Sequence, residues 1–279
     1  MQILLLSCPD QPGLVAAAAA CIADHGGNIT DADQHADTEH GVFVQRIAFE
    51  MTPHELDSFR SSFADVARSK QMNWSLHNDE DRQRVAVLVS GEGHCLVDLL
   101  ARARLGELRC EIPVVISNHD TFRSITEQLG FEFVHLPVDP LDKAAQQARL
   151  LETLRRYEID LIAMARYMQI LPDSLIKAYP QRIINIHHSF LPAFIGAKPY
   201  HQAFDRGVKI IGATAHYATA ELDQGPIICQ DVTHVSHRDD VERLIQRGRD
   251  LEQIVFARAI QLHLDHRVLA YANRTVVFD

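Results

Sequence analysis

Asn185, His187 and, after a gap, Asp223 have the types and order that suit chemistry at a carbonyl carbon. Asn185-Ile186-His187 follows Arg182-Ile183-Ile184, whose apolar β-branched character predicts a strand, and on a strand residues two apart share a face. Asn185 and His187 then point the same way. A neutral amide donates a hydrogen bond to an oxyanion, and an imidazole near its working pKa shuttles a proton, so the pair suits hydrolysis or acyl transfer. Asp223 would orient His187 and balance its charge. The same residue types also take structural jobs. Asn185 can cap a turn, His187 can meet a buried carbonyl, and Asp223-Gln224-Gly225-Pro226 is a good turn sequence.

Positioning such a group requires a framework, and the chain divides into two regions that each carry their own apolar periodicity. The wholly polar run Asn78-Asp79-Glu80-Asp81-Arg82-Gln83-Arg84 separates them, which predicts domains over 1–77 and 85–279 with a linker at 78–84. The first region predicts β-α-β-β-α-β: a strand at Ile3 to Leu6, a helix from Leu14 to Ala23 stopped by Gly26-Gly27, and a hairpin of Asn28 to His35 with Val42 to Glu50. A helix entered through Thr52-Pro53-His54-Glu55 and a strand at Met72 to Leu76 complete it. That order is a ferredoxin-like α+β sandwich. In the second region strands at Val85 to Ser90, Ile112 to Ser117, Phe131 to His135 and Leu161 to Met164 alternate with helices, and a long amphipathic helix from Asp239 to His263 closes it. A doubly wound, Rossmann-like parallel sheet follows, making the chain α/β overall. Gly91-Glu92-Gly93 lacks the third glycine of a dinucleotide fingerprint, so no nicotinamide cofactor is expected.

Composition narrows the function classes. A formal charge of −10 over 279 residues with no concentrated Lys/Arg face disfavours a nucleic-acid partner. Five cysteines, Cys8, Cys21, Cys95, Cys110 and Cys229, are odd in number and show no C-x-x-C spacing, so reduced thiols are expected and no zinc site. The sixteen histidines include no H-E-x-x-H or comparable metal-ligand spacing. Met1 to Asp10 lacks a basic n-region and the Ala16 to Ala20 run is too short to span a bilayer, so the expectation is a cytoplasmic protein with no membrane partner.

Three ordered motifs then resemble the folate-dependent formyltransferase family: Asn185-Ile186-His187 with Ser189-Phe190-Leu191-Pro192, Gly212-Ala213-Thr214-Ala215-His216-Tyr217, and Asp223 with Gly225-Pro226-Ile227-Ile228. The resemblance implies that Asn185, His187 and Asp223 are catalytic. His94-Cys95-Leu96, Ile116-Ser117-Asn118-His119, Ala165 to Leu171 and Phe194 to Ala203 look like the formyltetrahydrofolate deformylase family in particular, over nearly the whole chain. Membership implies hydrolysis of 10-formyltetrahydrofolate to formate and tetrahydrofolate, with formate supplied to purine synthesis and no cofactor required. It also implies a folate site formed by Met168, Ile170, Leu171, His216 and Gly225. Gln169 stands where related formyltransferases often carry Arg, which removes a side-chain salt bridge to the folate tail and leaves backbone contacts to the pterin. The turn Gly91-Glu92-Gly93-His94-Cys95 departs from the Gly-Asn-Gly-Ser-Asn that glycinamide ribonucleotide formyltransferase uses for its acceptor's phosphate; Glu92 puts an anion there, which favours water as acceptor. Transfer to a small amine acceptor, and a non-catalytic folate-binding or amino-acid-sensing protein, are the alternatives. Of the remaining histidines, His188, His201 and His119 line the pocket or meet core carbonyls.

Cys8-Pro9-Asp10-Gln11-Pro12-Gly13-Leu14-Val15 with Gly26-Gly27-Asn28-Ile29 resembles the small ACT regulatory domain. That resemblance implies an amino-acid effector at Asp10, Pro12, Gly13 and Asn28, and a homo-oligomer formed through this domain. Pro12 and Gly13 equally make an ordinary helix-entry turn.

Overall fold

The structure, a computed structural model, describes residues 1–139, 141–193 and 199–279. Half of the segment Phe194 to Ala203, one of those that carries the deformylase resemblance, therefore lies outside the described residues. Two compact units are present: Met1–Asp81 together with Asp265–Asp279, and Arg82–Leu264.

The first unit runs β1 (Gln2–Pro9), α1 (Leu14–Asp24), β2 (Asn28–Asp37), β3 (Val42–Glu50), α2 (Pro53–Lys70) and β4 (Asn73–Asn78). Its sheet has the order β2-β3-β1-β4 with every neighbouring pair antiparallel, which is the ferredoxin-like arrangement read from the element order. Leu4, Leu6, Ile47 and Phe49 of the sheet pack against Ala18 and Ile22 of α1 and Phe59 and Phe63 of α2. Gly13 takes the left-handed conformation at φ 84 ahead of α1, a turn that glycine makes without steric cost. Thr52 enters α2 with its hydroxyl donating to Glu55 at 3.0 Å, rather than capping a backbone N–H.

The second unit continues with β5 (Gln83–Val89), α3 (His94–Leu105), β6 (Cys110–Ser117), α4 (Arg123–Gln128), β7 (Phe133–His135), α5 (Lys143–Arg156), β8 (Leu161–Ala165), α6 (Asp173–Ala178) and β9 (Ile183–His187). Then come α7 (Pro199–Asp205), β10 (Ile210–Tyr217), β11 (Ile227–His234) and α8 (Val241–Leu264). Seven strands lie in the order β11-β10-β9-β8-β5-β6-β7; β9 to β7 are parallel, and β10 and β11 are antiparallel additions. The central strands are apolar along their whole length because both faces are covered. Ala86, Leu88, Ile116, Ile162 and Ile183 meet Leu150 and Leu154 of α5 and Leu175 of α6 on one face. α8 lies against β9, β10 and α3 on the other. From β5 the chain winds to β6 and β7 on one side and to β8 and β9 on the other, so a crevice forms at the carboxyl ends of β5 and β8.

Beyond α8 the sequence expectation needs correction. The predicted second domain extended to residue 279, but residues 265–279 belong to the first unit, where β12 (Val268–Tyr271) and β13 (Arg274–Val277) pair as a hairpin. Its attachment is polar and specific. Arg46 Nε donates to the His266 carbonyl at 3.1 Å, Tyr271 Oη donates to Asp37 at 2.8 Å, and the rings of His77 and His266 stack 3.8 Å apart. At the other boundary Asn78 ends β4 and Gln83 begins β5, so part of the polar run is already strand.

Candidate active site

β9 delivers Asn185 and His187 to the crevice, and antiparallel β10 sets His216 opposite Asn185. Asn185 Nδ2 lies 3.2 Å from His216 Nε2, while His216 Nδ1 is 3.0 Å from the Tyr217 carbonyl. A carbonyl only accepts, so His216 Nδ1 carries a proton and donates to it, and Nε2 is left to accept from the Asn185 amide. That bond fixes the orientation of the amide and leaves Asn185 a second N–H.

Asp223 sits at φ 55 in the turn between β10 and β11. Its carboxylate lies 3.2 Å from His187 Nδ1 and 3.6 Å from His216 Nε2. The hydrogen bond from His187 foremost holds its carboxyl well below the usual carboxylate range, against the opposing effect of burial. Because His187 Nδ1 faces Asp223, the other ring nitrogen is turned away. His187 Nε2 is buried and has no hydrogen-bond partner among the described residues. Such an atom is costly unless something completes it.

A cleft opens beside Asn185, His216 and Asp223, walled by Met164, Gln169, Ile170, Leu171 and Leu222. Ile170 and Met168 are exposed at 76% and 62%, as apolar residues awaiting a flat partner would be. The segment that carries them is anchored from below. The Met168 backbone N–H donates to Ser90 Oγ at 2.9 Å, and Ser90 Oγ donates to Asn118 Oδ1 at 2.6 Å. Gly225 has a packing role beneath Asp223: a Cβ there would stand 1.7 Å from the Tyr217 carbonyl oxygen. Asn185, His187, His216 and Asp223 thus converge, with Ile170 and Leu171 on the adjoining wall. In the first unit Asp10, Pro12, Gly13 and Asn28 are all exposed around the entry to α1 and the start of β2, and the Asp10 N–H donates to the Gly41 carbonyl at 2.9 Å.

A second cluster went unread in the sequence. Arg166, at φ 62 just past β8 and only 9% exposed, donates to Glu92 through Nη2 at 3.1 Å and approaches Glu252 of α8 at 3.5 Å. Arg166 Nη1 also bonds His188 Nδ1. Glu252, 1% exposed, takes further hydrogen bonds from His94 Nε2 at 2.8 Å and Tyr200 Oη at 2.6 Å. Burial first, and the Arg166 charge second, push the His188 imidazole down to about 4. His94, Cys95 and Glu252 offer ligand atoms within 4.8 Å of one another. The guanidinium beside Glu252 opposes a cation there, and burial raises the Cys95 thiol, which disfavours the thiolate. The available signal for Arg166 was a long cation directly after an apolar buried strand.

The chain matches the model of the formyl transferase family over residues 83–260 and that of the ACT domain over 2–57. It is 53% identical to a formyltetrahydrofolate deformylase of Synechocystis sp., covering 99% of this chain and 97% of that one. The crystal structure of a formyltetrahydrofolate deformylase from Pseudomonas syringae superposes with a TM-score of 0.97 at 47% identity, covering 100% of this chain and 94% of that one. Glycinamide ribonucleotide transformylase 1 from Symbiobacterium toebii covers 74% of this chain and 98% of its own, with a TM-score of 0.68 at 34% identity.

Proposed function

Since the chain belongs to the formyltetrahydrofolate deformylase family and hydrolyses 10-formyltetrahydrofolate to formate and tetrahydrofolate, we propose that Asn185, His187 and Asp223 carry out that reaction. The observation behind this reading is the buried, unpartnered His187 Nε2 beside an amide N–H that Asn185 keeps free. Water adds to the formyl carbon as His187 Nε2 takes its proton, and the electrons of the C=O bond move to an oxyanion that Asn185 hydrogen-bonds. The carbon–N10 bond then breaks with its electron pair on N10, which receives the proton back from His187. Asp223 keeps Nδ1 protonated and stabilises the transient imidazolium. His216 is a positioning residue for the Asn185 amide. Met168, Ile170 and Leu171 receive the folate rings, and Gly225 supports the turn that carries Asp223.

Formate release without any acceptor, followed for the native chain and for Asn185→Ala and His187→Ala, tests the assignment. Losing an oxyanion donor costs about 3 kcal/mol, so folded Asn185→Ala is expected to turn over about a hundredfold or more slowly. Normal turnover in either variant would overturn the assignment.

No cofactor or metal is required in this mechanism; full activity after chelation is the expected result. The first unit serves as a regulatory and oligomerisation domain, with an amino-acid effector at Asp10, Pro12, Gly13 and Asn28. Titration calorimetry with free amino acids on the native chain and on Asp10→Ala tests the site, and light scattering tests the oligomer. No helix among the described residues is long and apolar enough to cross a membrane; we place the enzyme in the cytoplasm.

A further inference from the structure

The Arg166 cluster reaches the formyl centre through His188, from the side away from the folate cleft. Met164 and Asn185 line the cleft on the sheet face covered by α5 and α6, whereas Glu252 arrives from α8 on the opposite face. Strand alternation would continue Met164 into residue 166, but the left-handed turn at φ 62 swings the guanidinium over the strand ends to Glu92, Glu252 and His188. His188 is the next residue after His187, and the two rings lie 5.1 Å apart. Arg166 therefore stands one imidazole away from the proton-carrying group. A side chain held in a conformation disfavoured for anything but glycine, and met by two carboxylates, is over-determined by its surroundings, as residues at functional sites are. The fold itself accommodates larger acceptors, since a structure named glycinamide ribonucleotide transformylase shares it.

We propose that Arg166, locked by Glu92 and Glu252, is the specificity-determining residue that restricts the acceptor to water by filling the space an amine nucleophile would occupy opposite the folate. Two features support it. Glu92 and Glu252 meet the charges of Arg166 and Arg249, so among the described residues the filled side presents no unpaired cation to attract an anionic acceptor. Burial, and then the Arg166 guanidinium at Nδ1, keep the His188 ring neutral, so it adds no second positive charge next to His187. The inference rests on the reading of Asn185, His187 and Asp223 as the formyl centre.

The test supplies 10-formyltetrahydrofolate labelled with ¹³C in the formyl group together with glycinamide as the probe amine, and reads formate against N-formylglycinamide by NMR. In transfer the amine nitrogen bonds the formyl carbon, the carbon–N10 bond breaks with its pair on N10, and the proton lost by the amine ends on N10. The native chain is expected to yield formate alone. In Arg166→Gly, where glycine takes φ 62 without strain, the share of label in the amide is expected to rise about tenfold or more. An unchanged partition in a folded variant that still releases formate overturns the proposal. So does a folded variant that makes neither product, because Arg166 would then serve hydrolysis itself. Should circular dichroism show Arg166→Gly unfolded, Glu92→Ala loosens the same guanidinium from its exposed side and must move the partition in the same direction. His187→Ala in the same assay separates the two readings: formate that persists there defeats the formyl centre, whatever Arg166 does.

Discussion

Asp223 makes the sharpest demand at the scale of single residues. Its folded pKa lies below its unfolded value, so it contributes stability above the unfolded pKa and loses that contribution as pH falls through the folded one. Between pH 5 and pH 8, roughly, the carboxylate stays ionised on both sides of the folding equilibrium and adds no limb to the rate profile. Asp223→Asn should therefore lower kcat by about 10²- to 10⁴-fold across that window without displacing the profile, since the amide leaves the His187 tautomer unspecified. Thermal midpoints of native and Asp223→Asn protein should begin to converge below about pH 4, as the unfolded carboxyl takes up its proton, and should meet only once the folded carboxyl is protonated as well. A profile displaced by the substitution would place the titration in Asp223 itself. That Asn185 and His187 share a face was legible from the strand's period of two, whereas Asp223 was linked to them only by its order in the family resemblance. Arg166 was not legible, because alternation along β8 points it elsewhere and only the left-handed turn brings it to Glu92 and Glu252.

Elements matter here through what their ends hold. The hydroxyl at the end of β5 ties the segment after β8 to the end of β6: Met168 N–H to Ser90 Oγ to Asn118 Oδ1. Ser90→Ala leaves a backbone donor without its partner, a penalty of about 1–3 kcal/mol, and it falls on the wall that carries Ile170 and Leu171. The expected kinetic outcome is a KM raised about five- to thirtyfold with kcat nearly unchanged, because the wall holds the ground state and the transition state alike. A matched fall in kcat would mean that Ser90 acts on the reacting atoms. Gly248 sets a different kind of limit. α8 and α7 approach so closely that a Cβ at 248 would lie 2.0 Å from Tyr200 Oη. Gly248→Ala should displace Tyr200 from Glu252 and cost about 1–3 kcal/mol in chemical denaturation, even though alanine favours the helix. The parallel strands and long helices were readable from apolar runs and a period of 3.6. β12 and β13 were not, because four-residue strands carry too little alternation to stand out.

At the scale of the whole molecule, the chain's last fifteen or so residues decide whether the first unit can be stable without the rest of the sequence. A polar linker near residue 80 suggests a cut that would release an independent ferredoxin-like domain, and that suggestion misplaces the tail. Strand β3 of the first unit is buried on both faces: Phe43, Ile47 and Phe49 face the helices, while Val44, Arg46 and Ala48 alternate to the other side. Arg46 and Asp37 find partners in the tail, at the His266 carbonyl and the Tyr271 hydroxyl. Phe278, 2% exposed, adds an apolar contribution of about 1.5–3 kcal/mol that a chain ending at Leu264 would lack. Stability of a domain this size amounts to only about 5–15 kcal/mol, so the sum is decisive. A chain truncated after Leu264 should keep Arg82–Leu264 folded while amide hydrogens of β1 and β3 exchange far faster than in the full chain. Residues 1–81 expressed alone should likewise be unfolded or aggregated, and adding residues 265–279 as a separate peptide at high concentration should restore protection in β3 by mass action. Undiminished protection in the truncated chain would show that the second face of the sheet is sustained without its hairpin. The tail would then be a passenger on a domain complete at Asp81.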